Sequence, residues 1–207
     1  MINMIKNIFE DIDLYYILIN KDFLKNKEYF IDKYCNANDL EYINQFIYPK
    51  DQNQHLASII LQKSFTNYIY YKNIQIKRDM YNKPFIQNLK YNYNISHDNN
   101  IVVGVFSEKS IGIDIMVHND INFNRLKSMK HIFNVVEKNI NYISLWTITE
   151  AYLKAIGIGF NNFENRKFYI KNSNGEINIV NGKKNKLINK KIYIDSILYN
   201  LSIVYLI

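Results

Sequence analysis

Apolar and polar positions along this chain fall into short blocks whose period changes several times. Ile12–Ile19, IDLYYILI, reads as a first strand. Between residues 21 and 48, Phe23, Leu24, Tyr29, Phe30 and Tyr34 recur at helical spacing among Lys, Asn and Asp, which predicts one or two short helices. Pro49 breaks the chain. From Asp51 to about Tyr71 the pattern predicts a longer amphipathic helix capped by Asp51. Leu56, Ile59, Ile60, Lys63, Ser64 and Asn67 fall on one side of it.

Short alternating runs follow. Ile74–Lys77 predicts a strand, Arg78–Pro84 a loop, and residues 91–95 a strand ending at Ser96 and His97. Ile101–Phe106 and Ile111–Met116 are strand-length apolar runs, set off by turns at Asp98–Asn100 and Glu108–Ser110, and together these strands predict an antiparallel meander. Helical segments are expected over Asn122–Ile132 and Asn134–Ile143, then a long helix over Tyr142–Ile156 stopped by Gly157 and Gly159. Strands at Lys167–Ile170, Ile177–Val180, Lys191–Ile194 and Ile197–Ile207 complete the chain, with Asn174-Gly175 as a hairpin turn and Asn181–Lys186 as a solvated loop. Each half is thus a helix-containing segment followed by a meander. The expected class is α+β, with a boundary near residues 109 and 110, and the halves share no obvious sequence repeat.

Composition changes this picture only at the margins. Apolar residues make up 48% of the 207, enough for a core, while 6 Gly and 2 Pro are few enough that each marks a specific turn. The formal charge of +7 points to an acidic partner, although the AT-rich codons of Asn, Ile, Lys and Tyr account for part of the lysine excess. No Lys/Arg stripe or nucleic-acid motif is present, so a nucleic-acid partner is not expected. No apolar run reaches membrane-spanning length, and no signal-peptide core follows the N-terminus. Cys35 is the sole cysteine, which excludes an intramolecular disulfide and fits a reducing, cytoplasmic compartment, with an organelle left open.

Candidate chemistry sits at the junctions. Asp114 is a carboxylate inside an apolar strand. Trp146, Glu150 and Lys154, at i, i+4 and i+8, share one face of the long helix. Lys83-Pro84 precede a strand and Ser96-His97 end one. Taken singly, Asp114 could cap a turn or pair with a lysine, and Glu150 with Lys154 could be a surface pair. Two carboxylates on one divalent cation, beside a lysine and a histidine, are the ingredients of phosphoryl transfer.

The ordered blocks Lys83-Pro84, Tyr93-Asn94-Ile95-Ser96-His97, Gly112–Ile115, Phe133 with Glu137, and Trp146…Glu150-Ala151…Lys154…Gly157…Gly159 resemble the 4′-phosphopantetheinyl transferases of the surfactin-synthetase-activating type. The resemblance runs from about Arg78 to Gly159. It implies two similar α/β halves related by a pseudo-twofold axis, residues 1–109 and 110–207, each an antiparallel sheet packed by helices. It also implies a ligand cleft between them and one compact, monomeric enzyme unit. The implied reaction moves the phosphopantetheine arm of coenzyme A, the co-substrate, to a serine of an acidic acyl or peptidyl carrier protein, as in fatty acid biosynthesis, and releases adenosine 3′,5′-bisphosphate.

On this resemblance Asp114 and Glu150 hold Mg²⁺, Lys154 contacts the phosphates, Ser96 and His97 face them, and Lys83 and Pro84 line the nucleotide site. Arg78 is the best-placed base for the 3′-phosphate, with Lys50, His55 and Lys63 as further candidates. Glu137 is the general base for the serine hydroxyl. Two positions depart from the family pattern. Met116 stands where many members carry a third metal-binding glutamate, and Thr149 where many carry lysine. The alternative these departures leave open is a coenzyme A-binding module that keeps the fold and has lost catalysis.

Overall fold

The computed structural model describes residues 2–9, 12–66, 73–81, 83–87, 91–128, 140–158, 168–173 and 176–207. The described chain is mixed α and β with antiparallel sheets, and it divides into two compact units, Met1–Glu108 and Lys109–Ile207.

In the first unit, β1 (Ile2–Phe9) and β2 (Ile12–Leu18) form a hairpin that joins β5 (Asn92–Asp98) and β6 (Ile101–Ser107) in a sheet of order β1-β2-β6-β5. β1 was not expected: INMIKNIF mixes Asn and Lys into its apolar positions without a period of two. Three short helices follow β2, one more than the periodicity suggests: α1 (Lys21–Lys25), α2 (Lys27–Tyr34) and α3 (Ala37–Asn44). Asn20 caps α1, and Asn36 and Asp39 form a reciprocal capping box on α3. The long helix α4 (Pro49–Ser64) starts two residues before Asp51, with Pro49 in its first turn and Tyr48 as a cap without a side-chain bond. Asp51 is therefore not its cap, and the expected extension past residue 66 lies outside the described residues.

α4 packs on β2, β5 and β6 and takes α2 and α3 beside it. Leu56, Ala57, Ile60 and Leu61 are fully buried in that core with Ile17 and Val102. The strand expected over Ile74–Lys77 is β3 (Ile76–Arg78), and it pairs with an unexpected β4 (Pro84–Ile86), so that the two ends of the expected loop, Arg78 and Pro84, lie opposite each other.

In the second unit the meander ends. β7 (Ile111–Val117) pairs not with β6 but with the last strand, in a sheet of order β10-β11-β7 formed with β10 (Asn185–Ile194) and β11 (Ile197–Leu206). The expected solvated loop thus shortens, because Asn185 and Lys186 already belong to β10. α5 (Asp120–Ser128) begins two residues early; of the helix expected over Asn134–Ile143, residues 134–139 lie outside the described residues, and Asn141, in extended backbone, starts α6 instead of continuing an earlier helix. α6 (Tyr142–Ile156) has the expected bounds. Asn141 caps it through the Ile143 N–H, and Gly157, at φ 78°, closes it in the left-handed conformation. β8 (Tyr169–Ser173) and β9 (Glu176–Val180) pair antiparallel with Ser173 opposite Glu176, while Asn174 and Gly175 lie outside the described residues.

Candidate active site

The geometry of the second unit turns on how closely α6 approaches β7. A Cβ on Gly112 would lie 2.0 Å from the Ala151 carbonyl oxygen and 2.5 Å from the Ala155 backbone nitrogen. Only glycine lets the helix backbone settle there. Along β7, Gly112, Asp114 and Met116 share a face by the period of two, and that face meets α6. Lys154 then reaches back to β7. Its Nζ donates to Asp114 Oδ1 at 2.7 Å and to the Ile113 carbonyl oxygen at 3.1 Å, and lies 3.8 Å from Glu150 Oε2. Two carboxylates from a strand and a helix therefore converge on one ammonium.

Asp114 is buried, while the Lys154 and Glu150 side chains keep 28% and 22% of their surface open to solvent. Burial pushes the Glu150 carboxyl above the usual range; Lys154 opposes that and Asp114 adds to it. Burial works against the charged form of Lys154, but Asp114 and Glu150 outweigh it and hold the ammonium above its ordinary value. Lys154 is thus a fixed cation.

Met116 packs into the apolar core with Leu126, Ile143 and Val204, and offers only a thioether where a third carboxylate would supply oxygen. Thr149 is buried and contributes no cation. Trp146 packs partly buried against the same core. Glu137, Phe133 and Gly159 lie outside the described residues.

In the first unit the sequence-derived residues are more dispersed. Ser96 is buried on β5, and the exposed His97 meets the ring of His55 edge-on, 5.6 Å between centroids. Asp79 closes the β3–β4 hairpin by accepting the N–H groups of Tyr81 and Lys83 at 2.8 and 2.9 Å. Burial lowers the Lys83 ammonium pKa, with Asp79 opposing. The Arg78 guanidinium stacks over Tyr42, 4.1 Å from its ring centre.

Arg78 and Tyr42 line a pocket of about 520 Å³, open mouth included, with Asn36, His55, Ser58 and Gln62. His55 stacks on Phe46 at 3.7 Å, and its pKa is lowered to about 4. Burial is the main cause, and His97 and Arg78 add repulsion against the pull of Asp51. Lys63 is not a surface cation at all. It is fully buried, donating to the Tyr34 carbonyl at 2.8 Å and ion-paired with Asp39. This corrects its placement among the candidates for a 3′-phosphate.

Residues 25–109 match the family described as "4'-phosphopantetheinyl transferase, N-terminal". A protein named 4'-phosphopantetheinyl transferase gsp, from Aneurinibacillus migulanus, is 31% identical over 96 residues, covering 42% of this chain and 40% of its own length. A second, 4'-phosphopantetheinyl transferase ffp from Bacillus subtilis, is 27% identical over 138 residues, covering 61% and 62%. Over these stretches the chain is similar to proteins named 4'-phosphopantetheinyl transferase. The matched stretches span less than two thirds of either relative.

Seen beside the transferases, the motif residues of the second unit meet in space: Asp114, Glu150 and Lys154 form one cluster. In the first unit Arg78 and His55 line one pocket and His97 lies against the His55 ring. Tyr42, Asn36 and Gln62 are not marked in the sequence because their pocket is built from the short helix α3 with its cap, the long helix α4 and the three-residue strand β3, none of which carries a motif. The one available signal was Arg78, a guanidinium six residues from a recognisable Pro84, whose stacking partner lies 36 positions upstream.

Proposed function

We propose that this chain transfers the 4′-phosphopantetheine arm of coenzyme A to a serine of an apo carrier protein, releasing adenosine 3′,5′-bisphosphate. The observation that carries this reading is the convergence of Asp114 and Glu150 on Lys154 at 2.7 and 3.8 Å. The relatives' shared name supports the reaction class. The formal charge of +7 supports an acidic carrier as the partner. An antiparallel sheet with one long helix packed on it in each unit supports two similar halves, and the reading takes them as a single monomeric enzyme acting in the cytoplasm.

The donor set fits Mg²⁺. Asp114 and Glu150 offer hard oxygens already turned toward a positive centre, and Mg²⁺ is ordinarily held by one or two carboxylates, substrate phosphate and water. When bound, the ion would neutralise diphosphate charge and polarise the bond that breaks. Asp114 and Glu150 would hold it, and the Met116 position leaves a place to water.

The chain's own groups do the rest. Lys154, kept protonated by its two carboxylates, places a fixed positive charge where negative charge grows on the transferring phosphoryl group. Arg78, on a rigid hairpin and braced by Tyr42, binds the nucleotide end with Lys83 and Pro84 beside it, and Ser96 and His97 face the phosphates. Glu137 takes the proton of the carrier serine as its oxygen attacks phosphorus, and the leaving group departs with the nucleotide. The test is chromatography of a reaction holding coenzyme A, Mg²⁺ and a panel of apo carriers. Adenosine 3′,5′-bisphosphate should appear only when a carrier is present. Coenzyme A bound yet intact with every carrier would instead indicate a binding module without catalysis.

A further inference from the structure

Across the sheet of the second unit, one row of side chains is polar from edge to edge. Asp114 on β7 lies opposite Ser202 on β11, and Ser202 lies opposite Asn189 on β10. All three share the face that α6 covers. Ser202 Oγ is 2.7 Å from Thr147 Oγ1 on α6, and Asn189 Nδ2 donates to Ser202 Oγ at 2.8 Å. Thr147 Oγ1 also lies 3.2 Å from the Ser144 carbonyl oxygen, to which it can donate, and either hydroxyl can be the donor between Thr147 and Ser202. Thr147 and Ser202 have no exposed surface, so neither can turn to water if the helix moves.

One turn earlier, Asn200 Nδ2 donates to Ser144 Oγ at 2.7 Å, and His118 Nδ1 lies 2.6 Å from Asn200 Oδ1. Towards its C-terminal end α6 is also held by Ser110 Oγ donating to the Ala155 carbonyl at 2.5 Å and the Lys183 N–H donating to Tyr152 Oη at 2.8 Å, and its remaining neighbours are largely Ile, Leu, Val, Phe and Met. Such apolar contacts fill volume without choosing between close alternatives in rotation and slide, whereas short buried hydrogen bonds do choose.

We infer that the Asn189–Ser202–Thr147 hydroxyl chain is a positioning device that sets the rotation of α6, so that Glu150 and Lys154 face Asp114. Thr147 precedes Glu150 by three residues and Lys154 by seven, on the same helical face. Ser202 is itself the cross-strand neighbour of Asp114, so one side chain ties the helix to the strand row that carries the carboxylate. Thr147 and Ser202 touch no reacting group in this account. They act through α6. The catalytic consequence rests on the transfer reading above, and the geometric one does not.

The experiment is a double-mutant cycle in the full chain, Thr147→Val against Lys154→Met, read by denaturant midpoints. Thr147 and Lys154 lie about 10 Å apart along the helix, a separation at which unrelated sites add. Positioning predicts non-additivity: the valine shifts the midpoint less once Lys154 has gone, because the bridge it loosens is already absent. Equal shifts in both backgrounds overturn the inference. If the valine variant does not fold, Ser202→Ala replaces it in the same cycle.

A kinetic arm adds a second reading. Thr147→Val should lower kcat about 10- to 100-fold with KM for coenzyme A little changed, and Thr147→Ser should restore it. An unchanged kcat in a folded valine variant also overturns the inference. A wild-type chain inactive toward every carrier would sink the transfer reading alone, and the cycle would still decide the positioning.

Discussion

Asp114 and Lys154 depend on each other. A buried carboxylate needs a cation, and an ammonium held at 2.7 Å from one carboxylate and 3.8 Å from another needs both. Asp114→Ala and Glu150→Ala should each lower turnover about 100- to 1,000-fold, with circular dichroism unchanged. A variant retaining full activity at millimolar Mg²⁺ would remove that residue from the metal assignment. His55 gives a prediction of a different kind. Its folded pKa of about 4 lies below the ordinary 6.5, so between those values the folded state binds fewer protons than the unfolded one. Stability should fall as pH drops through 6.5, and the loss should be complete near 4. It is on the order of 2 kcal/mol once solvent screening at this partly exposed ring is allowed for. Denaturant midpoints at pH 7 and pH 4.5 should converge in His55→Gln, and an identical pH slope in that variant would contradict the assigned cause.

Elements are fixed by a few contacts that periodicity does not reveal. Gly112 is one: the helix backbone lies where a Cβ would be. Gly112→Val should force α6 away from β7 and lower stability by about 1–3 kcal/mol or more. Lys154 to Asp114 contact should go with it, visible as a lost kcat that Gly112→Ala only partly recovers. Lys63 is another. Truncation to Met leaves Asp39 buried without its cation and should cost about 3–5 kcal/mol, read from urea unfolding. A cost under about 1 kcal/mol would mean that Asp39 finds another partner, such as the Asn36 N–H it already accepts. Legibility followed the same line. α6 could be read to the residue because a cap, an apolar stripe and a left-handed glycine all agree. Lys63 falls on the side of its helix that carries Leu56, Ile59 and Ile60, but nothing local names its partner Asp39, 24 residues away. β1 reads as nothing, because its polar residues break the alternation. α4 was mis-started because Asp51 fits the cap preference that Pro49 and Tyr48 override.

At the scale of the whole molecule, GIDI and the α6 motif each name a candidate site residue, and the fold brings those candidates together in the second unit. What could not be read was which strand β7 would join. Ile111–Met116 follows β6 after a short turn, and proximity in sequence favours pairing them. The actual partner, β11, lies some 80 residues on, and only its long apolar run announces it. That pairing also places Ser202 opposite Asp114. Among the described residues no helix is long and apolar enough to cross a membrane. The pocket around Arg78 and His55 belongs to the first unit and the Asp114 cluster to the second.

The most direct measurement is the intact mass of an apo carrier protein after incubation with coenzyme A, Mg²⁺ and this chain, run beside the Asp114→Ala variant. The account predicts that the carrier gains the mass of one phosphopantetheine group with the wild-type chain and gains nothing with the variant. A carrier panel left unmodified by the wild-type chain, or modified equally by both, would contradict it.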